Sequence, residues 1–71
     1  MTDAAAISEE TLRAKLAELK QEHADIDRSI QAIALSPLPD MMLIGRLKRR
    51  KLALKDEIVR IEEMLNPDIP A

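Results

Sequence analysis

The chain has 71 residues, no cysteine, no aromatic residue, and 11 basic against 13 acidic side chains, for a formal net charge of -2. That length allows one small domain, and the missing cysteines exclude a disulfide framework, thiolate chemistry and a cysteine metal site. The missing aromatics exclude a base-stacking platform of the kind single-strand nucleic-acid binders use, and the acidic balance opposes bulk attraction to polyanions.

Residues 1–7 are acidic and alanine-rich, without the basic region and apolar run of a secretory signal, and read as a flexible N-terminal segment. Helix one is expected over about residues 8–35. Ser8 can accept hydrogen bonds from free N–H groups of the first turn, and Glu9 and Glu10 suit the positive end of the helix dipole. Its seam is Leu12, Leu16, Leu19, His23, Ile26, Ile30 and Ile33, at alternating gaps of four and three. Pro37 disfavours a helical conformation at Ser36 and ends the helix. The short, stiff connection over 36–39 fits antiparallel neighbours.

Helix two is expected over about 40–65, with Asp40 the preferred cap and Ser36 before Pro37 the alternative. Its seam is Ile44, Leu47, Lys51, Leu54, Ile58, Ile61 and Leu65. Asn66 and Pro67 supply the stop, and residues 66–71 form a frayed tail. Folding the chain at Leu38 pairs the seams layer by layer, from 33 with 44 to 12 with 65, each pair summing to 77. The fold class is all-α: an antiparallel two-helix hairpin, coiled-coil-like, in one register.

A lone hairpin offers little burial against an ordering cost of about 1.5 kcal/mol per residue. Met41, Gly45, Leu52 and Val59 form a second apolar strip off the helix-two seam, with Ala17, Ala24 and Ile7 off the other. A long helix with apolar residues on two faces usually buries both, so association into a helical bundle is expected, most simply a homo-oligomer. No stretch approaches the ~20 apolar residues of a membrane span, and the expected location is cytoplasmic.

His23 and Lys51 are the polar residues of the seam, in adjacent layers. The preferred reading is a polar core that fixes register, because a polar seam residue penalises slipped alignments. The alternative is an anion site of His23, Lys51 and Lys55. One histidine without a second ligand is poor evidence for a metal or a catalytic base, and no cofactor is expected. Around the seam the register places Arg13 opposite Glu62 and Asp27 opposite Lys48. It also opposes Lys20 to Lys55 and Glu22 to Glu57, which is unfavourable.

Leu19-Lys20-Gln21-Glu22-His23 and the run Arg46-Leu47-Lys48-Arg49-Arg50-Lys51-Leu52-Ala53-Leu54-Lys55-Asp56-Glu57-Ile58 resemble the YdcH-like family, small bacterial proteins classed as a domain of unknown function. The resemblance spans roughly residues 12–65. It implies a helical hairpin of this length, with no established activity or catalytic residue, and marks Glu22, His23, Lys48, Lys51, Leu52, Lys55, Asp56 and Glu57 as positions of interest.

The expected function is a non-catalytic interaction module that self-associates and presents a charged helix face to a protein partner of unknown identity. Lys48, Leu52, Lys55, Asp56 and Val59 are its candidate surface. The alternative is weak nucleic-acid or anionic-surface binding through an anion patch of Arg46, Lys48, Arg49, Arg50 and Lys55, which the acidic balance disfavours. An enzyme is not expected: the sequence has no nucleophile–base pair and no glycine-rich phosphate loop, Gly45 being its one glycine.

Overall fold

A computed structural model of the chain describes residues 8–66. The segments expected to be a flexible start (1–7) and most of the frayed tail (67–71) lie outside the described residues, as does Ile7. Two helices make up the fold, α1 over Glu9–Ala34 and α2 over Met41–Leu65, packed antiparallel along one seam.

The ends are set by side chains that satisfy free backbone groups. Ser8 precedes α1 in extended conformation, and its hydroxyl accepts from the Thr11 N–H at 3.0 Å. At the far end the Ser36 hydroxyl donates to the Ile33 carbonyl at 2.7 Å, while the Ser36 N–H bonds the same oxygen at 3.1 Å. Ser36 is therefore committed to closing α1 and does not cap α2. Asp40 does that, accepting from the Leu43 N–H at 3.0 Å. At the other end of α2 the Asn66 N–H donates to the Glu62 carbonyl at 2.8 Å.

The buried layer follows the heptad pattern. All fourteen seam positions are buried or half-buried, and few others are. Leu19, Leu54, Ile58 and Ile61 form the centre of the core, with Leu12, Leu16, Ile26 and Leu65 packed against it; Ile44 is buried nearer the turn. Leu54 alone is fully enclosed, at 0% exposure. Three ion pairs join the helices: Glu22–Arg50 at 2.7 Å, Asp27–Lys51 at 2.6 Å and Lys20–Glu62 at 3.4 Å. Asp27–Lys51 lies within one residue of the register summing to 77, and the other two straddle it.

These pairings correct the flanking charges read from the sequence. Arg13 turns back along its own helix to Glu9 at 2.6 Å instead of crossing to Glu62. Asp27 takes Lys51, not Lys48; Lys20 reaches Glu62, which relieves the expected clash with Lys55; Glu22 finds Arg50, which relieves the clash with Glu57. Successive helix residues point about 100° apart, so Arg50 and Lys51 leave α2 on opposite sides of the seam and staple opposite edges of α1. Among the described residues no polar side chain is buried, and the two polar residues of the seam, His23 and Lys51, are half-buried. Lys51 lies along the seam by its apolar stem and delivers its ammonium group to Asp27 outside it.

Candidate functional site

The chemistry-bearing residues concentrate on α2, and helix geometry distributes them around it. Seam residues face α1, so their neighbours one or two positions along point outward or to the sides. On the side away from α1, Arg49, Leu52, Ala53, Lys55, Asp56 and Val59 line an open groove of about 560 Å³. Leu52 is 71% exposed and Val59 37%, large values for aliphatic side chains in mid-helix. Four of the five residues expected to form a partner surface, Leu52, Lys55, Asp56 and Val59, meet in this groove.

Lys48, the fifth, belongs to a second shallow cleft. With His23, Lys51, Leu52 and Lys55 it lines a space of about 430 Å³ along the edge between the helices. His23 and Lys51 thus come together as the adjacent-layer register implied. Lys51 is engaged, however: its ammonium is hydrogen-bonded to Asp27, and this bond is the main cause that holds the Asp27 carboxyl below the usual carboxylate range. The Lys51 charge acts in the same direction, partial burial opposes it, and the nearby His23 charge and a bond from Gln31 assist.

The proposed anion patch does not form one face. Arg50 sits at the edge held by Glu22, and that hydrogen bond raises its guanidinium pKa further above its ordinary value. Lys48 borders the His23 cleft, Arg49 the outer groove, and Lys55 both. Arg46, Lys48, Arg49 and Lys55 have no carboxylate within ion-pair distance among the described residues. These four cations project from different sides of α2, so a flat polyanion meets only some at once.

A second apolar surface escaped the sequence reading. Leu35, Leu38, Met41 and Met42 are all highly exposed around the turn, Leu38 at 90%. Of these only Met41 was singled out from the sequence. The signal was present in Leu38 standing between two prolines, where no helix could bury it. Among the described residues no three His, Asp or Glu side chains converge on a point that could hold a metal ion, and no helix is long and apolar enough to cross a membrane.

A family model described as a protein of unknown function, DUF465, matches residues 16–62. The chain belongs to this family. YdcH-like proteins are also members, which agrees with the resemblance carried by the Leu19–His23 and Arg46–Ile58 stretches. No curated protein and no solved structure matches the chain. The match covers the core cluster, all three interhelical ion pairs and both grooves, leaving out the cap of α1 at Ser8. Membership in DUF465 brings no catalytic or binding role with it.

Proposed function

We propose that this DUF465 hairpin is a non-catalytic interaction module of the cytoplasm, which self-associates and presents the outer face of α2 to a protein partner. The observation that carries this reading is Leu52, 71% exposed at the middle of a helix whose opposite side packs on α1. Val59 lies two turns further along the same groove, and Lys55 and Asp56 border both. Apolar anchors rimmed by charge, two turns apart on one helix, are the pattern of helix-mediated docking. A two-helix layer walls its grooves on one side only, which suits a surface contact better than enclosure of a small substrate.

A second reading is weak polyanion binding, favoured by the four cations without carboxylate partners. A salt titration separates the two. Binding to duplex DNA or RNA is expected to be micromolar or weaker at low salt and to vanish near physiological ionic strength, because each phosphate contact carries its own salt penalty. Protein association anchored by Leu52 and Val59 is expected to persist, since apolar burial is not screened. Lys48→Glu with Arg49→Glu is the control, chosen to spare the Arg50–Glu22 staple. Sequence-selective nucleic-acid binding that survives physiological salt and disappears in this control would overturn the first reading.

A further inference from the structure

The charge on α2 reverses about its midpoint. Its first part carries Arg46, Lys48, Arg49, Arg50, Lys51 and Lys55, and its last part Asp56, Glu57, Glu62 and Glu63 against the single base Arg60. At the change-over, Arg49, Leu52, Ala53 and Asp56 follow the spacing i, i+3, i+4, i+7, which aligns them on one stripe. By helix phase that stripe is directed almost opposite to the seam of Leu54, Ile58 and Ile61, and its residues line the outer groove.

A partner of one uniform charge is attracted to half of this helix and repelled by the other half. A helix with the same reversal, running the opposite way, matches both halves at once, and α2 of a second copy has that pattern by construction. The geometry points to a symmetric dimer in which α2 packs antiparallel on α2 of a second copy, with the two-fold axis passing between Leu52 and Ala53. This inference rests on the self-association reading above and gives it a surface and a register, the second copy being the protein partner that the outer face of α2 receives.

In that arrangement each Arg49 meets Asp56 of the second copy, twice per dimer. Asp56 is bound within its own helix only by Arg60 at 3.2 Å, both side chains well exposed, so exchanging partners costs little. Leu52 faces Leu52 on one side of the axis and Ala53 faces Ala53 on the other, the small alanine allowing close approach. Gly45 comes opposite Arg60, and a side chain there would meet nothing within 4 Å in the hairpin itself, which leaves room for the arginine stem. Lys48 and Lys55 lie roughly a quarter turn to the side, so they do not oppose one another across the axis. The apolar patch is small, and the dimer is a dissociable one.

The absence of native cysteine makes a clean test available. Leu52→Cys and Ala53→Cys, each a single variant of the full chain, are expected to cross-link as homodimers under mild oxidation, much faster than Ala24→Cys on the outer side of α1. Sedimentation of Arg49→Glu is expected to show dimer affinity reduced about tenfold, because two like-charge contacts replace two attractive ones. Adding Asp56→Lys to the same chain restores the pairing with reversed signs and should recover the affinity. Circular dichroism of each variant checks that the helices persist. A protein that sediments as a monomer at every concentration overturns both the self-association reading and this dimer. Self-association in which neither cysteine variant outpaces the α1 control, or the swap fails to restore affinity, overturns this arrangement and leaves the broader reading standing.

Discussion

Lys51 occupies a seam position, yet its charge is spent outside the seam, on Asp27. Both side chains remain more than a third exposed, so the pair is a screened surface contact and not a buried charge. Its pH signature is nevertheless specific. The folded-state pKa of Asp27 is lowered, first by the hydrogen bond from Lys51, so its stabilisation is present above the ordinary carboxylate pKa and disappears as pH falls through the folded value. Asp27→Asn is therefore expected to melt below the wild type near pH 7, with the gap closing as pH drops to about 3. A gap that stays constant across this range would mean that Asp27 acts through packing or helix propensity. The Arg50–Glu22 staple behaves differently on its cationic side: a raised arginine pKa contributes at all pH below its already high ordinary value, so that side adds no slope in the same window. Sequence reading assigned Asp27 to Lys48 because it paired residues flanking the seam.

At the scale of the helices, the apolar pattern, the register and the caps were legible in the sequence, because each follows from periodicity or from one residue beside a helix end. For α2 the sequence favoured Asp40 and left Ser36 open, since both are good cap residues; the structure has Asp40 in that role and engages Ser36 with the Ile33 carbonyl. The ion pairs were illegible for a related reason, as a charged side chain can sample positions a full turn up or down. The residues of the anion patch are spread around α2 because neighbours in sequence are about 100° apart on a helix, so a run of cations wraps it instead of lining one face. Two substitutions in α2 test the resulting packing in opposite directions. Leu54→Ala removes the one fully enclosed side chain and is expected to cost about 2–5 kcal/mol, enough to unfold much of so small a hairpin. Gly45→Ala places a methyl group in open space and removes a weak helix former, so it is expected to stabilise by about 0.5–1 kcal/mol. Thermal melts of both at one fixed concentration decide; a destabilised Gly45→Ala would indicate a close approach to that position.

For the molecule as a whole, the limiting fact is thickness. Two helices form one layer, and only five described side chains are buried within it: Leu19, Ile44, Leu54, Ile58 and Ile61. Meanwhile Leu52 and Val59 on the outer groove, and Leu35, Leu38, Met41 and Met42 at the turn, remain in solvent. A chain with more large aliphatic side chains exposed than enclosed gains by association, and folding linked to association makes the melting temperature rise with protein concentration. The two apolar surfaces predict different mutants. If α2 carries the contact, Leu52→Lys should abolish the concentration dependence, and Leu38→Lys should leave it intact, because the turn lies about 20 Å along the helix from Leu52 at 1.5 Å per residue. The reverse pattern would place the contact at the turn, where helices meet end to end and the charge reversal of α2 has no role. Equal sensitivity at both sites would require an interface running the length of α2, in which Leu38 of one copy is covered near the open end of the other. A melt independent of concentration over a thousandfold range, with a monomer mass in sedimentation, would show instead that seven seam layers and three ion pairs at the edges hold the hairpin unaided.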